Sequence, residues 1–258
     1  MVQLYSASLE SEQLDFILDT NSIVNQGIIV AFVIFTLWII SLIIFLCSNI
    51  TQTSFPLSFL ALLWQTFLYT GLFITSHDAM HGAVYPKNPQ LNHWIGKIAV
   101  FIFGFFSYQK LFKKHWLHHR YPGTSKDPDY YDQANQNFFI WYWNFMKSYG
   151  TWRQLMGFIL IFNILHYVFQ FSALNLIFFW AIPPLLSSFQ LFYFGTFLPH
   201  RKLKEKSTGQ HPIRTLKFPL FWSFLSCYHF GYHHEHHEFP NVPWWQLPLV
   251  YQKNRKAL

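Results

Sequence analysis

The chain of 258 residues has little charge and few cysteines. Charged residues make up 11% of the sequence, whereas a soluble domain carries about 25%, so an ordinary soluble domain is excluded. Two cysteines are too few for a disulfide scaffold or for the thiolates of an iron–sulfur cluster. A flavin or nicotinamide fingerprint is also missing. Any redox reaction of this chain must therefore take its electrons from another protein.

Apolar and aromatic residues dominate the sequence instead. Hydrophobic residues make up 52% of the chain and aromatic residues 22%. Such an aromatic excess is typical of helices that face lipid, with Trp and Tyr at the level of the headgroups. We therefore expect an all-α integral membrane protein whose surroundings are a lipid bilayer.

The formal net charge of +7 indicates an orientation in the membrane. No basic stripe with interleaved polar residues is present, so a nucleic-acid partner is not expected. The basic residues lie in short stretches beside apolar runs, namely Lys110, Lys113, Lys114 and Arg120, and Arg201, Lys202, Lys204 and Lys206. Cytoplasmic loops carry this kind of excess. Residues 1–26 have acidic and no basic side chains, unlike a signal peptide, and are expected to form a cytoplasmic segment.

Four apolar stretches approach or reach the roughly 20 residues that cross a bilayer as a helix. They are 27–47, 56–75, 155–171 and 174–199. The two short connections, between the first and second and between the third and fourth, contain no Lys or Arg, so we expect two hairpins that start and finish in the cytoplasm. Pro183 and Pro184 should kink the fourth span.

A fifth apolar stretch, 94–112, is predicted not to cross the membrane. A crossing would place the histidines before and after it on opposite sides. A re-entrant or in-plane segment avoids this separation. Because no repeat or second domain is evident, we expect one domain over 1–258, with two transmembrane hairpins, re-entrant or in-plane helices and a histidine-rich site on the cytoplasmic face.

Ten of the 14 histidines lie in three tight groups. Residues i, i+3 and i+4 share a helix face, which predicts that eight of these side chains are ligands: His77 and His81; His115, His118 and His119; His233, His236 and His237. Eight imidazoles are too many for one tetrahedral zinc ion. Two octahedral ions with open positions fit better, and iron, which activates dioxygen, is the expected metal. A lone histidine at a helix end is usually an ordinary residue, but three clusters of imidazoles left unpaired would be costly.

Other metal motifs fail on inspection. Glu238 stands where a metalloprotease helix requires its second histidine, and no Glu-x-x-His pair is present for a carboxylate-bridged di-iron site. His200, at the end of the fourth span, is a candidate ninth ligand. Asp78, Glu235 and His229 are candidates for holding the outer nitrogens of ligand imidazoles.

The spacing of these histidines resembles the membrane fatty-acid desaturase and hydroxylase superfamily. Within it, segments 77–82, 114–129 and 232–245 are similar to the bacterial β-carotene ketolases. The resemblance implies a non-haem di-iron oxygenase that uses O2 to oxidise the C4 methylene of β-ionone rings, so that β-carotene becomes echinenone and canthaxanthin. Two hydroxylations at C4 and loss of water would give the ketone. A reduced ferredoxin-like donor, docked on the basic loops, would supply electrons.

Other functions stay open at this stage. A carotenoid ring hydroxylase or a fatty-acyl desaturase would share every histidine and differ only in the cavity that accepts the substrate. A membrane metal transporter would use the same imidazoles, but it should place them along a path through the bilayer rather than at one boundary.

Overall fold

The computed structural model describes residues 20–131, 137–201 and 213–257. Within these residues the chain is helical and contains no strand, which confirms the predicted all-α class. Residues 1–19 of the expected cytoplasmic segment lie outside the described residues. So do the basic residues Lys202, Lys204 and Lys206.

The first predicted hairpin is formed by α1 (Thr20–Cys47) and α2 (Phe55–Met80). Both are long and apolar enough to cross a membrane. Pro56 lies in the first turn of α2, where its missing N–H leaves no helical bond unmade. The helices share a buried hydrogen bond of 2.8 Å from Ser41 Oγ to Gln65 Oε1. The Gln65 amide also lies 3.5 Å from the Trp38 carbonyl, so this buried polar pair links the two spans inside an apolar layer.

The fourth predicted span is helix α7 (Ala173–His200), which also meets the length and composition of a membrane span. Two stretches of it, Ile177–Ala181 and Phe192–Phe197, are π-helical. The first ends directly before the turn that contains Pro183 and Pro184. The wider π-turn accommodates the backbone groups that the prolines leave without donors. The span therefore continues past both prolines.

The third predicted span, 155–171, is helical over most of its length. Helix α6 (Trp152–Asn163) has 12 residues and continues into a π-turn of five residues, Ile164–Val168. Among the described residues, three helices are long and apolar enough to span, or four if the bent pair described next is one span. Because α6 is not among them, the predicted count of four spans stays a prediction.

The fifth apolar stretch is divided between α3 (Pro89–Gly104) and α4 (Tyr108–Arg120), which meet at 102°. The bend begins at Phe105, whose φ of 57° closes α3 in a left-handed conformation. The stretch is therefore not one straight helix, and its predicted re-entrant or in-plane position stays a prediction. The bend turns α4 toward the C-terminal end of α2, where His115 meets His81.

The end of the bundle remote from the histidines is held by hydrogen bonds to main-chain carbonyls. Near the start of α7, Asn175 Nδ2 donates to the carbonyls of Phe45 and Ser48 at 2.8 and 2.7 Å, where α1 ends. Deeper in the core, the Tyr69 hydroxyl donates to Trp180 O at 3.3 Å. Since α2 and α7 both start near this end, both finish at the other.

Short helices with exposed aromatic side chains surround the spans. In α5 (Phe138–Tyr149), Trp141 is buried, whereas Phe139 and Trp143 are 71% and 62% exposed. This distribution is typical of a helix lying in the membrane interface. The C-terminal region contains three further helices, α8 (Leu220–Cys227), α9 (His233–Glu238) and α10 (Leu247–Ala257).

Candidate metal centre

All nine predicted ligand histidines lie together where α2 and α7 end, and they form two groups. In each group one ring nitrogen from every histidine lies within 4.8 Å of the others. The five-histidine group consists of His77, His81, His115, His119 and His236. The four-histidine group consists of His118, His200, His233 and His237.

Helices α4 and α9 each contribute to both groups. In α4, His115 and His119 join the five-histidine group, whereas His118 joins the four-histidine group. In α9 the numbers are reversed: His233 and His237 join the four-histidine group, and His236 joins the five-histidine group. Neighbouring residues differ by about 100° around a helix. The face that we predicted to be shared by each trio is therefore wide enough to serve two sites.

The remaining ligands come from the ends of the two spans. α2 runs to Met80, beyond the predicted boundary at residue 75, so His77 lies in its last turn and is 3% exposed. His81 is the C-cap of the same helix. His200 is the last residue of α7 and is also buried. Rigid helix ends thus place three imidazoles at one level.

Short distances join the ring nitrogens in the five-histidine group. His115 Nε2 lies 2.6 Å from His81 Nε2 and 3.1 Å from His119 Nε2. His119 Nε2 is also 3.0 Å from His236 Nε2. These four nitrogens face a common centre.

The four-histidine group has a similar geometry. His237 Nε2 lies 3.0 Å from His118 Nε2 and 3.1 Å from His233 Nε2. The two groups are adjacent, because the rings of His119 and His237 stack with their centroids 4.2 Å apart.

The ring nitrogens that converge are short of hydrogen-bond partners. His118 Nδ1 lies 2.9 Å from Asp127 Oδ1; the carboxylate accepts, so Nδ1 carries the proton and Nε2 presents a lone pair. Within the described residues, the buried Nε2 atoms of His77 and His200 have no partner. Converging lone pairs without donors are unfavourable in a protein interior. A metal cation at each centre would satisfy them, so the residues fit the implied metal.

Burial favours the neutral form of two imidazoles in the five-histidine group, His81 and His119. Burial, followed by the neighbouring histidines, lowers the pKa of His81 to about 3 and that of His119 to about 2. The neutral ring is the form that binds a metal. The two histidines are therefore ready to act as ligands at neutral pH.

Asp127, which is not among the three predicted supporting residues, contacts a ligand histidine. Its Oδ1 faces His118 and also accepts the backbone N–H of Asp129 at 2.9 Å. Its Oδ2 accepts the N–H of Gly123, also at 2.9 Å. The composition of residues 126–129 predicts a turn, but it does not predict that this turn folds back onto His118.

The three residues predicted to support the ligands have different surroundings. Asp78 Oδ1 lies 3.2 Å from His77 Nδ1, and Oδ2 accepts the N–H of Trp244. Glu235 instead accepts the Thr215 hydroxyl. The His229 ring nitrogen lies 3.1 Å from the hydroxyl of Ser223. In the described part of the chain, Asp78 alone of the three has a contact with a ligand nitrogen among its hydrogen bonds.

An apolar cavity of about 90 Å³ reaches both histidine groups. His77 and His115 line it from the five-histidine group, and His118 and His233 from the other. The wall includes the apolar residues Phe73, Phe103, Phe106, Leu111, Phe145 and Phe230. A ring of a lipophilic molecule inside this cavity would lie beside both candidate metal positions.

A separate surface groove reaches the groups from outside. Its walls include Lys113, Trp116 and Arg120 of α4, together with His119 and His237. Lys114 faces elsewhere: its ammonium group lies 4.3 Å from the centroid of the Tyr149 ring and donates to the carbonyl of Ser148. The basic stretch predicted from the sequence is therefore divided between two surfaces.

Sequence similarity to known proteins shows the family of this chain. The family model described as "Fatty acid desaturase" matches residues 53–150 and 134–258. A β-carotene ketolase of Paracoccus sp. (strain PC1) is 38% identical over 92% of this chain and 96% of that protein.

Algal relatives are similar but longer. A zeaxanthin 4-ketolase of Chlamydomonas reinhardtii is 40% identical over 87% of this chain and 51% of its own length. For β-carotene 4-ketolase 3 of Haematococcus lacustris the identity is 42%, over 70% of this chain and 58% of that protein. The chain thus spans about half the length of these algal proteins. The similarities to both bacterial and algal proteins agree with the resemblance drawn from the histidine segments, and the chain belongs to the fatty acid desaturase family, within the branch of the β-carotene ketolases.

Proposed function

We propose that this chain is a β-carotene 4-ketolase, a non-haem di-iron membrane oxygenase that oxidises the C4 methylene of β-ionone rings to a ketone. The observation that carries the proposal is the pair of imidazole groups facing one apolar cavity, in a chain 38% identical to a Paracoccus β-carotene ketolase over nearly its whole length. The end of a long carotenoid is an apolar ring, and the Phe-lined cavity suits it.

Two iron ions are the proposed cofactors, one for each histidine group, with O2 as co-substrate. The proposed ligands are the five-histidine set and the four-histidine set, including His200. An imidazole donor set suits iron, and octahedral coordination leaves open positions in both groups. Bound iron would supply the activation of dioxygen and the removal of hydrogen from C4.

The protein contributes orientation and exclusion of water. Asp127 and Asp78 hold the outer nitrogens of His118 and His77, which keeps the rings turned toward the metal positions. The apolar cavity wall keeps the ring beside the two groups and keeps water away from it. Two hydroxylations at the same carbon would give a gem-diol, which loses water to form the ketone.

The proposed topology has four spans in two hairpins and an active site on the cytoplasmic face. Support comes from α2 and α7, whose C-terminal ends meet at the histidines, and from Lys113 and Arg120 beside the same site. We further propose one domain over 1–258. One buried cluster that joins Ile34 to Trp244 supports this assignment.

A reduced ferredoxin-like donor is proposed to dock in the groove of Lys113, Trp116 and Arg120. An acidic protein would complement the two basic residues, and the groove brings it against one ligand of each group, His119 and His237.

The docking proposal is tested with reconstituted enzyme and a reduced ferredoxin. Lys113→Glu with Arg120→Glu should slow donor-dependent turnover about tenfold at low salt, and the difference should shrink as salt screens the charges. Lys97→Glu is the matched control, because Lys97 lies over Trp94 outside the groove. Equal rates for the double variant and wild type would overturn this docking site.

Alternative functions differ from the proposal in the product. A ring hydroxylase would release the alcohol, and an acyl desaturase would leave carotenoids unchanged. A metal transporter fits the arrangement poorly, because the two groups lie side by side at the ends of the spans and not along a path between the two membrane surfaces.

Expression in cells that accumulate β-carotene tests the function. We expect echinenone and canthaxanthin, and two iron ions per purified chain. Accumulation of hydroxylated rings alone would reject the ketolase in favour of the hydroxylase. The inactive control is the double variant His118→Ala with His236→Ala, which removes one ligand from each group.

A further inference from the structure

The largely apolar cavity contains an acidic group that the proposed function does not use. Asp129 and Tyr149 both line the cavity, and the Tyr149 hydroxyl donates to Asp129 Oδ1. The second oxygen, Oδ2, lies 3.9 Å from His118 Nδ1, too far for a hydrogen bond. Among the described residues it accepts no hydrogen bond. The cavity therefore holds an acceptor with free capacity beside the metal ligands.

This pair is held firmly in place. The N–H of Asp129 donates to Asp127 Oδ1 at 2.9 Å, and Trp141 Nε1 donates to the Asp129 carbonyl at 2.8 Å. The Tyr149 ring packs against Phe145, with the ring centroids 4.8 Å apart. The ammonium group of Lys114 lies over the same ring. The position of the Asp129 carboxylate is thus fixed by hydrogen bonds to its backbone and by the Tyr149 hydroxyl.

A ketolase must retain the product of its first oxidation. That product is an alcohol at C4, and the same carbon must remain beside the metals for the second hydroxylation. A hydroxyl group buried without a partner is unfavourable in an apolar cavity. Without an acceptor, more of the alcohol would leave before the second hydroxylation.

We propose that Asp129 and Tyr149 form a hydroxyl-binding subsite for the C4 alcohol. Asp129 Oδ2 accepts the hydrogen bond of the substrate hydroxyl, and Tyr149 positions the carboxylate. No covalent bond changes at this subsite. The inference rests on the proposed ketolase function and adds the feature that directs the alcohol to the ketone.

The test compares product ratios in cells that accumulate β-carotene. Asp129→Asn weakens the acceptor, and Tyr149→Phe removes only the hydroxyl that positions it. In both we expect the ratio of released C4 alcohol to ketone to rise about tenfold, the scale of losing a hydrogen bond to a charged group. Tyr142→Phe is the matched control: it lies on the same helix, its hydroxyl is bonded to Ser188 at 2.8 Å, and the ratio should stay at the wild-type value.

A second measurement separates binding of the alcohol from general damage. With purified enzyme, the KM for the supplied C4 alcohol should rise by a larger factor in Tyr149→Phe than the KM for β-carotene, while the iron content stays unchanged. A wild-type product ratio and a wild-type KM for the alcohol in Tyr149→Phe would overturn the subsite, even if Asp129→Asn loses its iron. A wild-type chain that makes no ketone would instead reject the proposed function itself.

Discussion

The two histidine groups are built from the same helices but differ in what each helix supplies. α4 gives two ligands to the five-histidine group and one to the four-histidine group, whereas α9 does the opposite. Each group is completed by the end of a span: His77 and His81 at the end of α2, and His200 at the end of α7.

This exchange makes the two candidate sites interdependent. Neither α4 nor α9 can move without disturbing both groups, and the stacked rings of His119 and His237 join them directly. The groups also differ in number of ligands: the five-histidine group retains four imidazoles after losing one, whereas the other retains three. Substitutions in the two groups should therefore differ in how much iron and activity they remove.

The largest effect should come from two ligands: the one that α4 gives to the four-histidine group, His118, and the one that α9 gives to the five-histidine group, His236. His118→Ala and His236→Ala should each lower ketone formation by more than about 100-fold, because loss of an outer partner alone costs about 10- to 100-fold. Iron and product are measured on the same preparation. Near-normal turnover in either variant would contradict that residue's assignment as a ligand.

Loss of iron should be unequal between the groups. His200→Ala leaves three imidazoles and should reduce the iron content to one ion per chain. His81→Ala leaves four and should retain two ions. Titration of the purified variants with a chelator checks this order, and the reverse order would show that ligand number does not govern retention.

The carboxylates behind the ligands should have intermediate effects. Asp127→Asn should lower activity or iron affinity by about 10- to 100-fold, as for other outer partners of metal-bound histidines. Asp78→Asn should act in the same direction on the other group and also loosen the contact with Trp244. The comparison is read from iron affinity measured for both variants, and wild-type affinity in both would reject the role of the carboxylates.

The smallest effect is expected at His229. Its φ of 59° is a left-handed conformation that Asn tolerates better than most residues. His229→Asn should therefore retain two iron ions and activity within about twofold, as for substitutions away from functional contacts. His233→Asn, four residues along the chain in the four-histidine group, is the control and should lose one iron ion and most of the activity. Loss of iron in His229→Asn would instead show that His229 supports a ligand histidine.

Most of the residues in the candidate site could be predicted from the sequence. The spacing of His77 and His81 and of the two His-x-x-His-His segments predicts ligand faces because helix periodicity is local. His200 was predicted from its place at the end of an apolar run. The structure brings all nine together, although their role as ligands stays a prediction.

Other parts of the site depend on long-range contacts. Glu235 was expected to support a ligand because it lies between histidines, yet its carboxylate faces Thr215. Asp127 faces His118 instead, since the turn that follows α4 folds back. Sequence proximity is a weak guide to the partner of a buried carboxylate, because a loop decides which direction the side chain takes.

The sequence by itself determined a membrane-embedded helical chain and the residues able to bind metal, since hydropathy and helical spacing are local properties. The tertiary structure alone decided how those histidines divide between two groups and how Tyr149 reaches Asp129 across 20 positions. The reason is physical: a helix periodicity specifies a face, but only packing against another helix specifies what that face meets.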